Sequence, residues 1–268
     1  MKRICIILTI LTLCLSACEF KLSNEAEAER VPMEVKRYDR LESRYLTTGD
    51  FSALQQMETE FPMETRTLIE NVLKVGSVND PEISKKLLTY FQDSTLQVLI
   101  SDVQSEFTQM DDINIELDHA FTRLKENIPN LEEPLVYAQI TALDQSIVVG
   151  DHSIGISLEK YLGADYPLYS SSMCGYSEQQ RATMGRNYIV PDLISFYLMS
   201  LFPLKGFENR SQLERDIHMG KLMWVANYAL EKQVFSNEFV DRVGRFMLKN
   251  KQFTINQLLE TTDYSAFK

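Results

Sequence analysis

Apolar residues recur every three or four positions along most of this chain, which is the spacing of one helix face. From Val35 to Asn127 the pattern predicts successive short helices. Asp80-Pro81 predicts one helix start, with Asp as N-cap and Pro at the first helical position. Ser94-Thr95-Leu96-Gln97 has the form of a capping box. It opens a run that places Leu96, Leu99, Ile100, Val103 and Phe107 on one face. Ile113, Leu117, Ala120, Phe121, Leu124 and Ile128 repeat that spacing, and Pro129 closes the helix. These stripes are what a buried core requires, and they carry no chemistry.

The period changes between Leu135 and Leu158. Val136 to Thr141, Ile147-Val148-Val149 and Ile154-Gly155-Ile156 read as three short strands. Gly150-Asp151-His152-Ser153 is a turn signal between the last two, so a meander or hairpin is expected. Helical spacing then returns. Ser177 to Gln180 caps a short helix, and Tyr188 to Phe202 forms a strongly apolar one with Pro191 in its first turn. That run is too short and too interrupted to span a bilayer. Ser211 to Glu214 is a further capping box, followed by Leu213, Ile217, Gly220, Trp224 and Tyr228 at helical steps. A glycine inside a helix costs about 1 kcal/mol, so Gly220 implies close approach of another element. Ser236 to Leu259 supplies two more helices. The expected fold class is α+β, mostly helical with a small three- or four-stranded sheet, in one domain over 35–268.

The N-terminus differs from the rest. Lys2 and Arg3 precede an apolar run, Ile4 to Leu15, which is too short for a transmembrane helix. This is the pattern of a signal peptide over 1–17. Its ending, Leu15-Ser16-Ala17-Cys18, resembles the bacterial lipoprotein processing site. That resemblance implies cleavage before Cys18 and acylation of Cys18 by a palmitate-class chain; an ordinary signal peptide is the alternative. Residues 18–34, polar and Glu-rich, read as a tether.

Composition sharpens this. The 268 residues carry 27 Lys+Arg against 38 Asp+Glu, a net charge of −11. Removing Lys2 and Arg3 with the signal makes it −13. Such a surface repels phosphate, so no nucleic-acid partner is expected, and adhesion to an anionic bilayer would depend on lipid. Of four cysteines, Cys5 and Cys14 fall in the signal and Cys18 at its end. Cys174 alone remains, which excludes an intramolecular disulfide in the mature domain.

A search for chemistry returns little. The three histidines, His119, His152 and His218, form no His-Glu-x-x-His. No calcium loop, Walker loop, dinucleotide fingerprint or Gly-x-Ser-x-Gly occurs. No cofactor is expected. Cys174 in a turn-like stretch, with His152, Asp192 and His218 elsewhere, leaves a hydrolase with an unrecognised non-zinc site as the alternative.

One arrangement resembles a known family. Asp151-His152-Ser153-Ile154-Gly155-Ile156-Ser157-Leu158-Glu159-Lys160-Tyr161-Leu162-Gly163-Ala164-Asp165-Tyr166-Pro167, then Tyr188-Ile189-Val190-Pro191-Asp192, then His218-Met219-Gly220-Lys221, are similar to segments of the gliding-motility lipoprotein B (GldB-like) family. The resemblance implies a lipid-anchored protein of the bacterial cell envelope, most simply at the outer membrane facing the periplasm, that serves gliding motility or secretion. That family in turn resembles zinc metallopeptidases of the gluzincin type. Laid on this sequence, the resemblance puts Pro191, Asp192 and Ser195 where His, Glu and His are needed, and Met219 where the third ligand, Glu, is needed. It therefore implies a degenerate zincin-like scaffold, a pseudoenzyme without zinc that acts by binding or assembly with an envelope protein. Tyr166, Tyr169 and Tyr176 are the candidate partner surface, since aromatic loop residues often anchor binding. The alternative is that these rings pack over the strands.

Overall fold

A computed structural model describes residues 31–267. The expected signal peptide over 1–17, Cys18 and the tether as far as residue 30 lie outside the described residues.

The first half is built from short helices. α1 (Tyr38–Thr48) turns Tyr38, Asp39, Glu42, Tyr45 and Leu46 inward. It stops at Gly49, whose left-handed backbone (φ 70°) lets its N–H reach Tyr45 O. α2 (Phe51–Glu60) is capped by Asp50, which accepts from Ser52 N. α3 (Pro62–Arg66) runs into one wide π-helical segment, Thr67–Val72. α4 (Ile83–Tyr90), α5 (Ser94–Glu106) and α6 (Asp111–Asn127) follow.

Two expected helix starts are corrected by one and two residues. Asp80 accepts from Glu82 N, making a turn ahead of α4 rather than its cap. Asp93, not Ser94, caps α5, because its carboxylate accepts from Thr95 N and Leu96 N. Gln97 is thereby released from a capping box and donates to Leu46 O and Phe91 O.

β1 (Leu135–Gln139), β2 (Ile147–Val149) and β3 (Ser153–Ser157) form a sheet in the order β1-β3-β2. β2 and β3 make the expected hairpin, but β1 pairs with β3, in parallel, from Leu135↔Ser153 to Gln139↔Ser157. A meander is thus overturned. The physical reason is burial: β3 is covered from Ile154 to Ser157 and takes the centre, whereas β2 ends on exposed Val149 at the edge. Ala142 and Leu143, both at positive φ, turn the chain back after β1. Beyond β1, Lys36 extends the sheet through Lys36 N to Val136 O (2.8 Å) and Ala138 N to Lys36 O (2.9 Å).

Met33 N donates to Asp118 Oδ1 and Val35 N to Asn114 Oδ1, so α6 receives the chain as packing begins. α1 lies against β1, where the Tyr38 and Tyr137 rings meet edge-on at 6.0 Å. α7 (Glu178–Arg181) opens on the expected Ser177–Gln180 capping box. α8 (Ile189–Leu201) packs on β2 and β3. α9 (Gln212–Leu230), opened by the Ser211–Glu214 capping box, packs against α6, α8, α10 (Glu238–Lys249) and α11 (Ile255–Glu260).

Candidate functional site

The site is built where α8 meets the end of β3. After β3 a single 3-10 turn, Leu158–Lys160, delivers Tyr161 inward. Its hydroxyl donates to Asp192 Oδ2 at 2.9 Å. Burial pushes the Asp192 carboxyl up to about 6, and the Tyr161 hydrogen bond opposes that rise. One turn along α8, Ser195 Oγ donates to Pro191 O at 2.8 Å. Pro191 is buried and offers no side-chain donor or acceptor. Met219 on α9 is half-buried against the core.

This set does not fit zinc. Catalytic zinc takes nitrogen, thiolate or carboxylate ligands. Here Pro191 and Met219 supply no such group, Ser195 offers a hydroxyl that donates to a backbone carbonyl, and Asp192 is the one carboxylate, accepting from Tyr161 through one oxygen. Among the described residues no group of three His, Cys, Asp or Glu is placed to hold a metal.

The other candidates are dispersed. His152 is exposed on the β2–β3 turn, 3.7 Å from Glu132 and 3.6 Å from Asp151. Cys174 is half-buried, and burial raises its thiol above the ordinary range, against any nucleophilic role. His218 on α9 is buried beside Tyr264, Nδ1 to Oη 3.1 Å, and burial brings it down to about 4. No hydrogen bond joins any two of Cys174, His152, Asp192 and His218 among the described residues.

The tyrosine loop divides. Tyr169 is fully buried: its hydroxyl donates to Glu159 O at 2.6 Å and accepts from Leu162 N. It fastens the loop from inside and presents no surface. Tyr166 and Tyr176 flank it at 5.2 and 6.0 Å in edge-to-face contact, both half-buried. Tyr166 donates to Asp102 Oδ2, and Lys160 Nζ donates to Tyr176 Oη at 2.6 Å. Exposed Met173 stands between these two tyrosines in sequence.

Sequence reasoning missed a buried polar layer between α1 and the sheet. Glu42 Oε2 accepts from Ile140 N at 2.8 Å. Glu159 Oε1 accepts from Thr141 N, Thr141 Oγ1 and Leu143 N. The signal was present: Tyr38, Glu42 and Tyr45 step by four and three, which puts a carboxylate on the apolar stripe of α1.

Fold and site together define a mostly helical α+β protein on a small mixed sheet, with its polar residues at the candidate zincin positions bonded internally. The sequence profile of "Gliding motility protein GldB" matches residues 20–238, and the chain belongs to that family of gliding-motility-associated proteins. No curated protein and no solved structure matches it. Among the described residues no helix is long and apolar enough to cross a membrane.

Proposed function

We propose that this protein is a lipid-anchored, non-catalytic component of the bacterial cell envelope that serves gliding motility by binding or assembly. Acylated Cys18 holds it to the outer membrane on the periplasmic side. A single observation carries the non-catalytic part. Pro191, Asp192, Ser195 and Met219 do not make a zinc ligand set, because Pro191 and Met219 carry no nitrogen, thiolate or carboxylate, Ser195 Oγ donates to Pro191 O, and Asp192 is a single carboxylate that accepts from Tyr161. The loop around Tyr166 and Tyr176, which leaves Met173 exposed, is the binding surface. Half-buried aromatic rings held by Asp102 and Lys160 lose little side-chain entropy on binding.

The test uses the acylated protein in intact envelopes. A photo-crosslinking residue in place of Met173 should trap one envelope protein reproducibly, and Cys18→Ser should release the protein from membranes. One zinc per purified chain, or peptide hydrolysis abolished by Asp192→Ala, would overturn the reading.

A further inference from the structure

Four side chains at the end of the parallel pair are wholly buried and incompletely bonded. Glu42, Gln139, Ser157 and Glu159 have no exposed surface. Glu42 Oε1, Gln139 Oε1 and Nε2, Ser157 Oγ and Glu159 Oε2 have no hydrogen-bond partner. Buried polar atoms are almost always satisfied, so five orphans in one layer require a cause.

The four residues are neighbours. Gln139 and Ser157 are register partners on adjacent parallel strands and share one face of the sheet. Glu42 and Glu159 bind the successive amides of Ile140 and Thr141, immediately past Gln139. Each carboxylate is therefore fixed through one oxygen, with its second oxygen free. Burial, and then the charges of Asp39 and Glu159 in that order, raise Glu42 well above the ordinary carboxylate range, so the two glutamates feel one another. Burial raises Glu159 as well. Neither forms an ion pair with a Lys or Arg among the described residues. Gly155 makes room for the amide, since a Cβ there would lie 2.6 Å from Gln139 Nε2 and 2.7 Å from Tyr137 Oη.

We propose that Glu42, Gln139, Ser157 and Glu159 hold a hard divalent cation of the calcium or magnesium class, enclosed between α1 and the carboxyl ends of β1 and β3. The free atoms are two carboxylate oxygens, an amide oxygen and a hydroxyl, an all-oxygen set that suits such ions and disfavours zinc. A cation satisfies four of the five orphan atoms, all but the Gln139 Nε2 donor, and neutralises two buried carboxylates at once. Without a cation, burial favours the protonated carboxyls and a water molecule would serve the oxygens; a cation instead holds both as carboxylates, and titration with the cation separates the two cases. The site is separate from the α8 positions and does not rest on the functional reading above.

The experiment takes the full chain without its signal, stripped with chelator, and measures thermal unfolding with added CaCl2 or MgCl2 at neutral pH. At a hundredfold excess over Kd, one of the two should raise the midpoint by roughly 5–10 °C. Elemental analysis of protein never exposed to chelator should find about one such ion per chain. Glu42→Gln and Glu159→Gln, which keep shape and the amide contacts, should each abolish the cation-dependent rise. No shift with either salt and no ion in untreated protein would overturn the proposal. So would an unchanged rise in both variants, which would mean that the ion binds elsewhere. Should neither variant fold, the wild-type titration and ion content decide alone.

Discussion

Tyr161 and Asp192 join the end of the sheet to the first turn of α8 through one hydrogen bond of 2.9 Å. The bond sits where burial has already lifted the carboxyl to about 6. Asp192 stands at the position that the zincin resemblance assigns to a general base, yet the fold uses it as an anchor for a neighbouring ring.

That anchor predicts a pH dependence. The folded-state pKa of Asp192 lies above its ordinary value of 3.8. Folding therefore favours the protonated form, and the associated stability is present at low pH and lost as pH rises through about 6. Asp192→Asn keeps an acceptor for Tyr161 and removes the ionisation. In urea titrations the variant should exceed the wild type by roughly 2–3 kcal/mol at pH 7.5, with the gap closing by pH 4. A constant gap across that range would show that the carboxyl does not titrate there.

Gly220 makes a steric prediction. A Cβ on it would lie 2.7 Å from Phe239 Cβ and 2.9 Å from the Phe239 carbonyl carbon. Backbone atoms cannot swing aside, so α10 would have to retreat from α9. Gly220→Ala should cost roughly 1–3 kcal/mol despite the better helix propensity of alanine. Faster amide exchange along α10 than in the wild type would locate the damage, and an unchanged exchange pattern would contradict it.

Gly220 also shows what the sequence made legible. A glycine at a helical step is costly, and that cost pointed to the close approach that Phe239 makes. The Ser177 and Ser211 capping boxes were readable for a similar reason, since each is a local bond between residues three apart. The sheet order was not readable. Whether β1 meets β2 or β3 depends on which strand is buried on both sides, and that is set by α1 and α8 from far along the chain. The sequence left Tyr169 open between surface and packing for the same kind of reason: its burial follows from bonds to Glu159 O and Leu162 N, which an aromatic loop residue does not advertise. At Pro191 on α8 and Met219 on α9 the lack of a hard ligand is a property of the side chain itself and needs no fold to be read. The buried layer of Glu42 and Glu159 was hidden, since its polar groups come from separate elements and meet only in three dimensions.

Arg186 predicts a difference between two cations. Its guanidinium grips both oxygens of Asp112 at 2.6 and 2.8 Å and donates to Gln109 O at 2.6 Å, pinning the chain just ahead of α8 to the start of α6. Lysine keeps the charge but not the fork. Arg186→Lys should lose roughly 1–2 kcal/mol of stability in denaturant titrations. A loss within error of zero would mean that charge alone sufficed.

Lys221 predicts a rise in stability on the alkaline side. It lies on α9 with no exposed surface, its ammonium donates to Thr261 O at 2.8 Å, and it stands 5.0 Å from the Tyr264 ring centre. Burial lowers it from 10.5 to about 8. Folding therefore disfavours the charged form, a cost fully present below about 8 and relieved as pH climbs toward 10.5. Lys221→Met has no ionisation to relieve. It leaves Thr261 O without its donor, so the segment carrying α11 should detach more readily and be cleaved sooner by protease. The stability of the wild type relative to this variant should grow from pH 7 to pH 10, by up to roughly 3 kcal/mol. Parallel pH profiles would show that burial does not lower the amine, and an unchanged cleavage rate would show that the hydrogen bond to Thr261 is not what secures α11.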